Sequence, residues 1–122
     1  KKLVASSGGE SWRYVTHVLG TYYQGDRERA LVEVESTYLK VLEHAKEQAI
    51  RSISMPLLFC GHLGTPKDVG ATAMINAFDT FTKKCYKERP VFVNIVTTSV
   101  LGLNCLTKAV TEKYPDTDVV DL

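Results

Sequence analysis

Residues 52–74 read SISMPLLFCGHLGTPKDVGATAM, and the way this stretch divides decides the fold. Ser52 to Leu58 is apolar on both faces, as a central strand of a parallel sheet would be. Pro56 lies inside that run and removes a ladder donor, which predicts a bulge or a strand end. Gly61 and Gly64 then break the pattern. The chain restarts as a helix predicted over Pro66 to Cys85, with Met74, Phe78 and Phe81 on one face. Thr65 is its expected N-cap, Pro66 fits N1, where a missing N–H costs nothing, and Asp68 falls at N3 in a variant capping box.

A strand, a glycine loop and a helix in succession can do chemistry. Residues without Cβ, here Gly61 and Gly64, can take φ > 0 and bring backbone close to a ligand. Successive amides in such a turn converge on an anion, and the following helix adds free N–H groups and the positive end of its dipole. That combination suits a diphosphate. The spacing is neither GxxxxGK[ST] nor GxGxxG. By spacing alone, a plain strand-to-helix turn and a phosphate site both stand.

Outward from this segment the elements alternate. Trp12 to Leu19 is aromatic and β-branched and reads as a strand, and Lys2 to Ser6 can add a short strand before it. Arg27 to Ala49 reads as a long helix with Asp26 as N-cap. Leu31, Val34, Tyr38, Val41, Leu42, Ala45 and Ala49 form its buried stripe, with Glu33, Lys40, Glu43 and Lys46 off it. Val91 to Val96 is the next strand, and Ser99 caps a last helix to about Tyr114 with Leu103, Leu106 and Val110 facing the core. The order β-α-β-α-β-α predicts parallel pairing, right-handed crossovers and a three-layer α/β/α sandwich. Ligands of such sheets bind beyond the carboxyl ends of the strands, where Phe59 to Thr65 would sit.

Bulk properties set bounds. The 122 residues suffice for one domain with one core. A net charge of +1, from 15 basic and 14 acidic residues, gives no electrostatic case for duplex DNA or an acidic membrane surface. No apolar run approaches the ~20 residues of a membrane span. The N-terminus lacks a signal-peptide pattern, and the chain opens at Lys1 rather than Met, so an excised or processed fragment is expected. Cys60, Cys85 and Cys105 are odd in number and widely spaced, which predicts reduced thiols and an intracellular protein, cytoplasmic or nuclear.

Single residues separate into bland and sharp readings. His17 is expected as a packed strand histidine, His44 as a solvated helix residue, and Trp12 as a packing residue. His62 is a candidate ligand contact because it sits on the glycine loop and an imidazole can donate or accept there. Cys60 and His62 could form a nucleophile–base pair, but residues two apart on a loop seldom face each other and no third orienting residue is evident. Asp26, Asp68 and Asp79 do not have the spacing of a two-carboxylate site. The helix dipole accounts for Lys83, Lys84, Lys87 and Arg89, and no aromatic platform supports a nucleic-acid partner there.

The decisive stretch also resembles a segment of macro domains, the ADP-ribose-binding modules, which carry a pattern like SIAFPAISTGIYGYP. Ser52, Ile53, Pro56, Gly61, Gly64 and Pro66 fall in register with it. Residues 12–20, WRYVTHVLG, are similar to the family's CKYVIHAVGP through Tyr14, Val15, His17 and Gly20. KLVASSGGE (2–10) resembles AVVTPGGNL, and PVFVNIV (90–96) takes the place of the last core strand. The resemblance implies a macro-domain-like sandwich with a mixed, mostly parallel sheet over a single domain, residues 1–122. It implies a binding module for ADP-ribose or a related nucleotide diphosphate, recognising ADP-ribosylated proteins. Cys60, Gly61, His62, Leu63 and Gly64 would hold the diphosphate, and Thr97 and Thr98 would border the adenine or its ribose. No catalytic residue, cofactor or metal is expected.

Departures from the pattern add further expectations. The family's first strands, with an adenine-contacting Asp, an Asn and a glycine-rich loop, have no counterpart, so the chain reads either as the carboxyl-terminal portion of a macro domain or as one that has lost that half. A second chain or self-association would then complete the sheet. The family's Ser-Thr-Gly-Ile-Tyr/Phe is here Phe59-Cys60-Gly61-His62-Leu63, and Ile95 to Thr98 offer no aromatic to stack on adenine. These changes suit an alternative, a degenerate macro-like domain for protein interaction or oligomerisation without ligand. An ADP-ribosyl hydrolase ranks below both, because the family's catalytic residues lie largely in the portion without a counterpart.

Overall fold

Chain order gives β1 (Lys2–Ala5), β2 (Tyr14–His17), α1 (Arg27–Glu47), β3 (Ser52–Met55), α2 (Lys67–Lys84), β4 (Phe92–Ile95) and α3 (Val100–Lys113). The computed structural model describes residues 2–5, 14–84, 92–97 and 99–116. The expectations for Trp12, Cys85, Lys87 and Arg89 lie outside these residues.

β3 and β4 run parallel, with Ser52 opposite Phe92 and Met55 opposite Ile95. α2 is their crossover, as the helix between two apolar runs predicted. β1 and β2 pair antiparallel, with Lys2 opposite His17 and Ala5 opposite Tyr14. Among the described residues these are two separate two-stranded sheets, and α1 joins β2 to β3 without the two strands pairing. The small parallel sheet is flanked by helices in the macro-like α/β/α arrangement, with α1 packed on α2 and α2 on α3.

α1 starts where the sequence says it should. The Arg29 amide donates to the Asp26 carboxylate at 3.1 Å, supplying one of the partners a helix start lacks. Its buried residues are Ala30, Val34, Tyr38, Val41, Leu42 and Ala45, so the stripe is shifted slightly from the expected one and Leu31 is half-buried. The helix stops before Ala49. Ala49 takes φ +56°, its amide donates to Lys46 O, and the Ile50 amide donates to Ala45 O at 2.9 Å. That is a Schellman end with alanine where glycine is usual. Ala49→Gly should therefore raise unfolding free energy by about 1 kcal/mol, measured by urea denaturation.

His44 is half-buried, not solvated, and its Nε2 is buried without a hydrogen-bond partner. His17, expected to pack inside, is exposed.

β3 ends at Met55, so the strand predicted to Leu58 is cut short by Pro56. α2 begins one residue later than expected. Pro66 C=O accepts the first helical bond from the Gly70 amide at 3.0 Å, which makes Pro66, not Thr65, the N-cap. Met74 and Phe81 on α2 are buried and Phe78 packs against the same cluster. α3 is capped as predicted, the Gly102 amide donating to Ser99 Oγ at 3.1 Å. Leu106 is buried, but Leu103 is 51% exposed. The helix approaches through Gly102, Leu106 and Ala109 instead, because a Cβ at Gly102 would lie 2.7 Å from Thr97 Oγ1 and 3.3 Å from Leu57 Cδ1.

Candidate functional site

The segment after β3 folds back on itself by three backbone hydrogen bonds. The Cys60 amide donates to Leu57 O at 3.4 Å, Gly64 to Gly61 O at 3.0 Å, and Thr65 to Phe59 O at 2.9 Å. Gly64 takes φ +85°, as its lack of Cβ allows. Gly61 does not lie in the left-handed region; Phe59 does, at φ +66°. Gly61 is instead the open point of the loop, since a Cβ built there meets nothing within 4 Å.

These bonds sort the expected ligand amides. Cys60 and Gly64 use theirs inside the loop, while the amides of Gly61, His62 and Leu63 make no hydrogen bond among the described residues. Three consecutive donors therefore remain at the carboxyl end of a parallel strand, just ahead of α2.

The chain after β2 packs against this loop. The Tyr23 amide donates to Leu63 O at 2.9 Å. Tyr22 Oη lies 3.1 Å from His62 Nε2, with the rings edge-to-face at 5.7 Å between centroids. Gly20 lets the two segments touch, because a Cβ there would overlap the Phe59 ring and lie 2.8 Å from Leu63 Cδ1. The chain after β4 lies on the other side. The Val96 amide donates to Met55 O at 3.0 Å, and Leu57 fills the space between Gly70 of α2 and Gly102 of α3.

Thr97 is near this cluster, but its hydroxyl serves α3. Oγ1 accepts from the Ser99 amide at 3.2 Å and donates to Ser99 O at 3.4 Å. Thr98 lies outside the described residues. The structure does not bring Cys60 and His62 into a dyad. Cys60 is buried and its thiol donates to Leu58 O at 3.4 Å and Pro66 O at 3.7 Å. Burial pushes that thiol up to about 11, and nearby Lys67 pulls it only part of the way back. A thiol held protonated in this way is a poor nucleophile.

Charge at the loop is modest. Arg27 and Asp68 form an ion pair tying the start of α1 to the start of α2. Partial burial pushes the Asp68 carboxyl up, but the Arg27 guanidinium and the amides of Val69 and Asp68 outweigh it and hold the carboxyl below its usual range. Part of the helix's positive end is thus answered by its own side chain.

Small cavities lie on either side of the helices. One of about 90 Å³ lies between α1 and the chain after β2, lined by Tyr22, Tyr23, Arg29, Glu33, Phe59 and Thr65. The other, about 130 Å³, lies between α2 and α3 beside Asn76 and Lys113. Both fall below the ~300 Å³ at which drug-sized pockets begin. Neither cavity is lined by Gly61, His62 or Leu63, and Gly61 and His62 are exposed. No group of three or more His, Cys, Asp or Glu among the described residues could hold a metal ion, and no described helix is long and apolar enough to cross a membrane.

Sequence reading missed three contributors: Phe59's left-handed backbone, the Tyr22–His62 contact, and Tyr38. Tyr38 is wholly buried, and its hydroxyl donates to Pro56 O at 2.7 Å and accepts from the Leu58 amide at 2.6 Å. A tyrosine alone among aliphatic residues on a buried stripe was the available signal, since a buried phenol needs a partner.

Parallel strands whose trailing loops gather at one end, with free amides opening onto a helix, define an α/β protein of the type that takes ligands at its strand ends. The macro domain family model matches residues 1–74, from β1 into α2, and the chain belongs to that family. No curated protein matches it. The matched region contains the glycine loop and the segment packed on it; Thr97 and Thr98 lie beyond it.

Proposed function

We propose that this macro domain is a binding module for ADP-ribose or a related nucleotide diphosphate, and that it recognises ADP-ribosylated proteins. The observation that carries this reading is the row of uncommitted amides at Gly61, His62 and Leu63. Backbone donors in a turn leading into a helix suit the two phosphates of a diphosphate without requiring side-chain cations. Cys60 and Gly64 spend their amides on bonds inside the loop and so shape it, and His62 adds a side-chain nitrogen at its rim. Thr97 contributes position through the start of α3, and Thr98 is retained as a neighbour of the adenine or its ribose. We assign no catalytic role and no cofactor, and place the protein inside the cell on its free cysteines, Cys60 and Cys105 among the described residues.

A second reading has its own observation. β2 and β3 each leave an edge unpaired among the described residues. Such edges accept another strand. A second chain, or self-association, would then complete the sheet, and the domain would be an interaction element without ligand.

Calorimetric titration with ADP-ribose, with AMP as control, separates the two. Saturable ADP-ribose binding at least about tenfold tighter than AMP supports the diphosphate reading, about 1.4 kcal/mol of preference for the part that faces the loop. No heat from a folded chain, with a dimer mass by light scattering, supports the interaction element and removes the first reading.

A further inference from the structure

We propose that Tyr38 is the positioning residue of the glycine loop: its hydroxyl clamps Pro56 and Leu58 so that Phe59 stays left-handed and the amides of Gly61, His62 and Leu63 stay aimed outward. β3 leaves its ladder at Pro56, which has no N–H to give. The carbonyl of Pro56 and the amide of Leu58 are then left at the edge of the core. A single hydroxyl can donate once and accept as well, and Tyr38 does both, at 2.7 Å and 2.6 Å.

The clamp is rigid because its base is. Tyr38 lies within α1, is 0% exposed, and belongs to the same buried cluster as Val34, Leu42 and Met74. The next step of the chain needs holding. Phe59 has φ +66°, uncommon for a bulky side chain and kept only where the surroundings over-determine it. It is held from both directions: upstream the Leu58 N–H is fixed on Tyr38 Oη and the Cys60 thiol reaches Leu58 O at 3.4 Å, and downstream the Thr65 amide donates to Phe59 O at 2.9 Å. Without the hydroxyl, one grip goes, and two part-buried backbone groups lose their partner. Phe59 then relaxes toward a negative φ, which turns the peptide planes leading into Gly61.

The consequence for ligand rests on the ADP-ribose reading above; the consequence for the free loop does not. Both are tested in the ¹⁵N-labelled chain with Tyr38→Phe, which keeps the ring. Leu106→Ala serves as a control that weakens the same core from α3 while leaving the Tyr38 hydroxyl and its two partners in place. In the absence of ligand, Tyr38→Phe should shift or broaden the amide resonances of Gly61, His62 and Leu63, and Leu106→Ala should leave them in place. ADP-ribose affinity, corrected for the unfolded fraction, should fall at least about tenfold in Tyr38→Phe only. Loop resonances unchanged in Tyr38→Phe, or moved equally by both variants, would overturn the assignment. Absence of ADP-ribose binding by the unmutated chain would remove the ligand reading and leave the amide comparison to decide the role of Tyr38. If Tyr38→Phe fails to fold, hydrogen exchange in the unmutated protein decides the role instead. The Leu58 amide should then be protected like the α1 core, with Gly61, His62 and Leu63 exchanging freely; Leu58 exchanging as fast as they do would overturn it.

Discussion

Gly61→Glu is expected to weaken ADP-ribose binding at least about 100-fold, about 2.8 kcal/mol, in a chain that still folds. The geometry makes this variant unusually clean. A Cβ at Gly61 has open space around it, and the residue does not need a left-handed backbone, so the side chain is accommodated without strain. Its carboxylate would stand beside the amides of Gly61 to Leu63, where the diphosphate is placed. Two like charges about 4 Å apart repel by about 4 kcal/mol at the effective dielectric of a protein surface, which is enough for the expected loss. Gly61→Gln keeps the bulk and removes the charge, and should retain most of the affinity. Calorimetry on the three proteins decides it. An unchanged affinity in folded Gly61→Glu would show that the diphosphate does not sit on this loop.

The contrast between Gly61 and Phe59 shows what was legible in the sequence and what was not. A glycine is visible as a letter, but the reason for it is not. Gly64 is there for its φ of +85°, Gly61 leaves a surface open, and Gly20 admits the Phe59 ring. Phe59 itself takes a conformation its residue type disfavours, with Tyr38 holding the Leu58 amide one peptide upstream and the Thr65 amide holding its own carbonyl. No local pattern encodes that, since Tyr38 comes from a helix twenty residues upstream of Leu58.

Helix boundaries were legible where a side chain caps them, as at Asp26 and Ser99, and less so where only backbone does, as at Pro66 and Ala49. Periodicity found the buried face of α1 because Val34, Tyr38, Val41 and Leu42 mark it plainly as apolar. It chose Leu103 wrongly on α3 because the contact there is made by a glycine, which hydrophobicity does not mark. The pairing of β3 with β4 followed from the crossover helix. The separation of β2 from β3 did not, because a crossover specifies direction and hand rather than which strand lies next door.

Gly70 gives the second large effect, and one whose sign can be reversed. It lies in the first turns of α2, where alanine would ordinarily stabilise a helix by about 1 kcal/mol relative to glycine. Here the added Cβ would overlap Cys60 Sγ, and Cys60 cannot easily retreat: it is buried and its thiol is directed at Leu58 O and Pro66 O. Overpacking of this kind costs about 1–3 kcal/mol, so Gly70→Ala should be destabilising by up to about 2 kcal/mol after the propensity gain. The strain resides in one sulfur atom. Cys60→Ala removes it, and in that background Gly70→Ala should turn neutral or stabilising. Urea denaturation of the two single variants and the double gives a coupling energy, expected at about 1–3 kcal/mol in favour of the double. Additive effects would mean that α2 and the loop do not press on each other at this point. A sign reversal would mean that the cysteine's role in the loop is one of volume: it spaces the glycine loop from α2, and its protonated thiol need do nothing more.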